Sequence, residues 1–279
     1  MALKYIYAGY SKCGTKTVAE LFKKLGFRVH DFKESLLVTA PLWDRFLNDT
    51  SLSHDQRLSL LREIYSDFEV CTDTPGNLFW QELLEAFPEA KCIFYQRPEK
   101  QWLPSFQKQM EVNNQLGSFP TFVVEWLFYL FSRNKGWVMR NVQAGICPLV
   151  TGQMPTYCKN WRLETFKFND SLLLNAYRRH NSNFMLNCPR DRRLVLEDLN
   201  SDATLSAILA FIGQSDGGKH KSPITKMPHQ NKSCEYTKVL MNTTDGLIYR
   251  IMIGDILKNI FTAAAVVLPL VISMIKLFS

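Results

Sequence analysis

Gly9-Tyr10-Ser11-Lys12-Cys13-Gly14-Thr15-Lys16-Thr17 decides the fold, because this stretch joins a short β-rich run at 4–8 to a helical pattern at 15–25. A glycine-bearing loop between a strand and a helix N-terminus turns successive backbone N–H groups toward one point, and the helix dipole adds positive potential there. The stretch reads as an anion cradle. Working outward, β-rich runs at 27–30, 69–72, 92–95 and 193–196 alternate with helical patterns at 55–65, 77–87 and 99–115. Strands that alternate with helices predict βαβ units and a mostly parallel sheet covered on both faces. Gly26 stops the first helix and Asp55 is the expected N-cap of the second. Farther on, Asp170 is expected to cap a helix through 177–186, and Asp202 one over 203–212 that stops at Gly213.

The chain has 279 residues, of which 46% are apolar, enough for one large core or two small ones. Charged residues make up 21% and aromatics 13%, so a disordered or low-complexity chain is excluded. A formal charge of +7 favours an anionic partner: a nucleotide, a nucleic acid or a lipid surface. Nucleic acid is set aside, because the Lys/Arg runs are short and no RNA-binding aromatic signature accompanies them. Seven cysteines at irregular positions include no CxxC pair, so they supply neither a metal-site spacing nor a disulfide framework. They read as reduced thiols of a cytosol-facing protein with no metal. Sequons at Asn48, Asn169, Asn231 and Asn242 weigh slightly toward a lumen.

Two regions depart from the α/β rhythm. Residues 117–168 carry FPTFVVEWLFYLF and then a basic, aromatic stretch without strand period, which reads as a helical insertion or lid. Residues 260–275, IFTAAAVVLPLVISMI, hold no charge and lie between Lys258 and Lys276. That run covers about 24 Å as a helix, so Phe278 and a snorkelling Lys276 are needed for it to cross a bilayer of about 30 Å. The expected organisation is an α/β domain over 1–245, followed by an amphipathic lead-in and a single membrane helix at about 260–278. A tail so placed would anchor the protein in a membrane and leave the domain in the cytosol.

The loop also carries chemical information. Set beside the nucleotide-triphosphatase pattern G-x-x-x-x-G-K-[ST], both glycines are present, but Thr15 holds the lysine position and the basic residue is Lys12, inside the loop. A lysine there approaches a phosphate chain from the other side, which favours a nucleotide other than ATP or GTP. Tyr10-Ser11-Lys12-Cys13-Gly14-Thr15-Lys16 resembles the Y-P-K-S-G-T-T loop of sulfotransferases that use 3′-phosphoadenosine 5′-phosphosulfate. It is closer still to P-loop sulfotransferase-like proteins, whose loop reads G-[FY]-x-R-[TS]-G-T-x-S. A second motif follows the fourth strand, where Gln96-Arg97-Pro98-Glu99 leads to Ser105 eight residues after Arg97. Sulfotransferases hold the 3′-phosphate with an arginine and a serine at that spacing, although they usually read R-D-P or R-N-P. Asp73-Thr74-Pro75 with Phe79-Trp80-Gln81-Glu82-Leu83, Tyr177-Arg178-Arg179-His180-Asn181 and Pro228-His229-Gln230-Asn231 are similar to further segments of that family.

The resemblance implies a P-loop NTPase-like three-layer fold and a phosphosulfate donor bound by Ser11, Lys12, Cys13, Gly14, Thr15, Lys16, Thr17, Arg97 and Ser105. Sulfuryl transfer needs charge neutralisation on the leaving phosphate and a base for the acceptor's proton. Lys12 is the electrostatic candidate. His30, after the second strand, and Asp73, after the third, are the candidate bases. His180 reads as a packing or capping residue, and His229 lies in a loop that could close over the nucleotide. The acceptor is an unnamed hydroxyl or amine, and the aromatic 119–137 stretch suits a hydrophobic one. Two other readings stay open: a catalytically degenerate scaffold at a membrane, and a nucleotide kinase or GTPase.

Overall fold

The computed structural model describes residues 2–116, 142, 145–152, 168–199, 201–216 and 226–228. All five expected strands are present: β1 (Tyr5–Tyr7), β2 (Val29–His30), β3 (Val70–Cys71), β4 (Lys91–Tyr95) and β5 (Arg193–Leu196). They form one parallel sheet in the order β2-β3-β1-β4-β5. β1 is central, and the chain leaves it first toward β2 and β3 and later toward β4 and β5. The carboxyl end of β1 is therefore a crevice where successive connections diverge, the usual ligand position of an open α/β sheet.

Side-chain alternation along β1 and β4 sorts the helices into two layers. Tyr5 packs against Phe22 of α1 (Thr15–Lys24) at 5.5 Å between ring centroids. Phe94 shares the other face with Ile6 through the register Ile6↔Cys92. It stacks on Phe184 of α7 (Asp170–Asn187) at 4.2 Å and 11°. α1 and α7 thus cover opposite faces, which gives the three-layer arrangement.

Local signals account for most helix ends, with several departures from expectation. Gly26 does end α1, and the Phe27 N–H returns to the Phe22 carbonyl at 3.0 Å. Two helices lie where none was expected: α2 (Phe32–Leu37) and α3 (Ala40–Asn48), the second opened by a proline in its first turn. The helix after them, α4 (His54–Ile64), is capped by Ser53, whose hydroxyl accepts from the Gln56 N–H, and not by Asp55. The expected helix at 77–87 begins as a 3-10 turn (Gly76–Phe79) and becomes α5 only at Trp80–Ala86. α6 spans Glu99–Leu116. Asn169, not Asp170, caps α7, with its carboxamide oxygen accepting from the Ser171 and Leu172 N–H groups. α8 (Asp202–Asp216) starts under the Ser201 hydroxyl and runs through Gly213, where no stop occurs.

The insertion at 117–168 lies outside the described residues apart from 142, 145–152 and 168. Of these, Val142, Ile146 and Val150 are buried. No helix among the described residues is long and apolar enough to cross a membrane, and the 260–275 run lies outside them.

Candidate functional site

The loop after β1 is held open by its own carbonyls. Six successive carbonyl oxygens are each engaged, five of them by side chains from outside the loop and one by the loop's own backbone. His180 Nε2 bonds to Ala8 O at 2.8 Å, and Asn77 Nδ2 to Gly9 O at 2.8 Å. The Cys13 N–H takes Tyr10 O at 2.9 Å. Trp102 Nε1 takes Ser11 O at 2.8 Å, and Arg97 Nη1 takes Lys12 O at 3.2 Å. The Tyr7 hydroxyl takes Cys13 O. With five carbonyls held from outside, the loop N–H groups other than that of Cys13, which closes on Tyr10 O, are left for the inside, and the first-turn N–H groups of α1 have no intrahelical acceptor. The result is a cradle for an anion.

Two glycines are required by this geometry. A Cβ on Gly9 would sit 2.7 Å from the Tyr7 ring, which crosses beneath the loop to reach Cys13. Gly14 adopts φ 82°, the left-handed region, and a Cβ there would also collide with Leu199. Lys12 adopts φ 68°, a conformation that costs a lysine roughly 1 kcal/mol and is imposed here by the surrounding bonds.

Aromatic side chains form the floor beneath the loop. Trp102 stacks on Tyr177 at 4.1 Å and 14°, and Tyr10 packs edgewise on both. His180 lies 4.9 Å from the Tyr10 ring. Burial pulls His180 down to about 4, so at neutral pH it is an uncharged donor to the Ala8 carbonyl. It is a brace, as expected of a packing or capping residue. The Tyr10 hydroxyl continues outward to Val150 O at 2.8 Å, tying the loop to the helical segment at 145–151.

The structure brings most of the expected binding residues together. Burial lowers the proton affinity of the half-buried Lys12 ammonium, Asp73 opposes that effect, and Arg97, Lys16 and Lys108 add to it. Lys12 Nζ reaches Gln109 Oε1 at 3.4 Å. The Ser11 hydroxyl meets that of Thr74 at 2.9 Å, joining the loop to the segment after β3. Cys13 is fully buried and its thiol is pushed up to about 11, and with its N–H on Tyr10 O and its carbonyl under the Tyr7 hydroxyl it shapes the loop and offers no donor to the anion. Thr15 and Thr17 open α1 as buried residues, and they present backbone N–H groups. Arg97 lies at the end of β4, and the Pro98 carbonyl accepts the first N–H groups of α6, from Gln101 and Trp102. Trp102, Ser105 and Gln109 fall within about 60° of one another around the axis of α6. Two of the three bond to the loop, which places Ser105 on the same face.

Lys16 behaves differently from the other cations. Its Nζ lies 2.7 Å from Asp31 Oδ2 and 3.5 Å from Asp73 Oδ2. Burial opposes its charge, yet Asp73 and Asp31 outweigh burial and hold the ammonium above the usual lysine value. Asp73 adopts φ 62°, and its Oδ1 accepts from the Thr74 N–H at 2.9 Å. A short polar residue tolerates that conformation, which turns this carboxylate back toward the loop.

His30 is not at the mouth. It is 1% exposed, packs on Tyr65 and Phe68 at 4.8 Å each, and bonds through Nε2 to Thr39 Oγ1 at 2.8 Å. Burial holds it at about 3. The residue that turns to the mouth is its neighbour Asp31, which sequence reasoning passed over, as it did Asn77 and Gln109. Strand alternation gave no signal for Asp31, because β2 is only two residues long and both of them are buried. Of the Pro228-His229-Gln230-Asn231 segment, only Pro228 lies among the described residues. Among the described residues no group of three or more His, Cys, Asp or Glu side chains is placed to hold a metal ion.

Comparison with known proteins agrees with this geometry. A family model described as a sulfotransferase domain matches residues 4–236. The Ava biosynthesis cluster protein M of Aspergillus versicolor is 26% identical over 112 residues, 39% of this chain. The match spans 43% of that protein's length.

Proposed function

The chain belongs to the sulfotransferase-domain family, and from that premise we propose that it moves a sulfuryl group from 3′-phosphoadenosine 5′-phosphosulfate to a hydroxyl or amine acceptor. The observation that carries this reading is the loop at 8–13, with five of its six carbonyls tied by side chains from outside and with Lys12 and Arg97 beside it. The inward N–H groups and Lys12 receive the 5′-phosphosulfate, and Arg97 with Ser105 receives the 3′-phosphate. In the transfer, the acceptor's oxygen or nitrogen forms a bond to sulfur while the bond from sulfur to the bridging phosphate oxygen breaks. Lys12 neutralises the charge left on that oxygen. The acceptor's proton goes to Asp73, which stands at the mouth, and His30 is too enclosed to receive it.

Calorimetry with 3′-phosphoadenosine 5′-phosphate tests the donor reading. Binding of this nucleotide in preference to ATP and GTP is expected, and binding of ATP or GTP alone would favour the kinase or GTPase reading. One observation favours a scaffold instead: Asp73 is already engaged by Lys16 and Thr74. Radiolabelled sulfate transfer to a panel of alcohols, phenols and amines decides, and sustained turnover removes the scaffold reading.

The 260–275 run supports a single C-terminal anchor with the α/β domain on the cytosolic side of a membrane. Deleting 258–279 should release the protein from membranes and leave nucleotide binding intact, because the phosphate motifs precede residue 106. Extraction of the full chain by alkaline carbonate would refute a span, and glycosylation at Asn48 or Asn169 would refute a cytosolic domain.

A further inference from the structure

Asp31 is 4% exposed and caps α2, its carboxylate facing the Phe32 and Glu34 N–H groups, although Oδ1 makes no hydrogen bond of full geometry among the described residues. Its Oδ2 shares the Lys16 ammonium with Asp73, at 2.7 and 3.5 Å. Two carboxylates thus lean on one ammonium, and one negative charge is left over beside the N-terminus of α1. Resting on the nucleotide reading above, we propose that Asp31 is a positioning residue that takes up a proton when the nucleotide's phosphate enters the cradle, releasing Lys16 toward it.

The charges around Asp31 define the case. Lys16 faces it from α1 and Asp73 from the segment after β3. From α2, Glu34 accepts the Asp31 N–H at 3.0 Å. Beneath lies the Cys71 thiol on β3, pushed up to about 12 and therefore neutral. Lys12 approaches only from beyond Asp73. A phosphate carries a charge of about −1.5 to −2, and it would arrive within one turn of Lys16, the second residue of α1. The site would then hold more negative charge than its cations balance, around two carboxylates whose side chains are 6% and 14% exposed, with only the 41% exposed Lys16 side chain open to solvent screening. Protonating the more enclosed carboxylate removes one charge without moving the backbone. Asp31 is that carboxylate, with 6% of its side chain exposed against 14% for Asp73. Burial and then the charge of Asp73 already push it above the ordinary aspartate value, against the pull of Lys16 and of the Phe32 N–H. The proton comes from solvent and converts the carboxylate to a carboxylic acid. Lys16 is then free to meet the phosphate.

The test is calorimetric titration of 3′-phosphoadenosine 5′-phosphate into the full chain near pH 6, in two buffers of different ionisation enthalpy. Wild type and Asp31→Asn are compared. Protons exchanged by the nucleotide's own phosphates and by Lys12 are common to both proteins and cancel in the difference. Wild type should take up at least about half a proton more than Asp31→Asn. Equal proton counts would overturn the proposal, even if Asp31→Asn bound the nucleotide more weakly. Should the variant not fold, wild-type affinity measured from pH 5 to 7 replaces it. After correction for the nucleotide's titration, binding should tighten as pH falls, by up to about tenfold per unit. A flat or reversed slope would overturn the proposal. Absence of any binding heat at every pH would instead defeat the nucleotide reading, and this one with it.

Discussion

At the end of β2, two adjacent residues open onto two unlike regions. His30 enters an enclosure of Tyr65, Phe68 and Trp43, where one hydroxyl from Thr39 satisfies its ring. Asp31 enters a mouth where Lys16, Asp73, Ser11, Thr74, Lys12 and Arg97 form a chain of ion pairs and hydrogen bonds. Both side chains are ionisable and both are buried, yet burial acts oppositely on their charges. It strips His30 of its proton and favours the proton on Asp31, because in each case the neutral form is the cheaper one to enclose. The enclosure is therefore a stability element, and the mouth keeps charge only where it is paired. Exposure alone would not have told the two apart.

Three substitutions separate the regions, from the largest effect to the smallest. Lys12→Ala should cut sulfuryl transfer by about two to four orders of magnitude on whichever acceptor turns over, while thermal unfolding is little changed. An unchanged rate with normal nucleotide affinity would remove the loop from the chemistry. On the other side, Trp43, fully buried, should show the inverse pattern. Trp43→Ala should lose about 3–5 kcal/mol in denaturant unfolding, with nucleotide affinity preserved in the protein that remains folded. A large loss of affinity at unchanged stability would dissolve the distinction.

The smallest effect is one of pH. The folded-state value of His30, about 3, lies below the ordinary 6.5, so the unfolded chain binds a proton that the folded chain refuses. The His30 contribution to stability should be level above about pH 7 and fall as pH drops from about 6.5 toward 3, by up to about 1.4 kcal/mol per unit, with His180, at about 4, adding a slope of the same sign in both proteins. His30→Gln should remove about one proton from that slope, whatever it does to stability at pH 7. Unfolding midpoints at pH 7 and 5 for both proteins provide the check, and an identical slope would mean that His30 is not enclosed as described.

How far the sequence showed this depends on scale. The strands were legible because short runs rich in aromatic and branched aliphatic residues, clearest at Tyr5–Tyr7 and Lys91–Tyr95, alternate with helical patterns, as a buried parallel sheet demands. α2 and α3 were missed because Val38-Thr39-Ala40-Pro41 interrupts the helical period, and neither six nor nine residues establish one on their own. The loop and its cations were legible from spacing, since a backbone cradle needs glycines at fixed positions. The choice of His30 over Asp31 was not. β2 has only two residues, too few to show which parity faces the core. The aromatic residues around His30 come from 43, 65 and 68, and only the folded chain brings them there.

The outward ties of the loop also set an order of events during folding. Asn77, Arg97, Trp102 and His180 are separated from the carbonyls they cap by 68, 85, 91 and 172 residues. Contacts that close such long stretches of chain form late, because their entropy must be lost before they return anything. A nascent chain that ends before α7 would contain the complete loop sequence and the strand and helix beside it, but not the histidine that fixes its first carbonyl. Competence to bind an anion would then arrive as one of the last properties of the growing protein, and refolding followed by nucleotide binding would lag behind refolding followed by helix content.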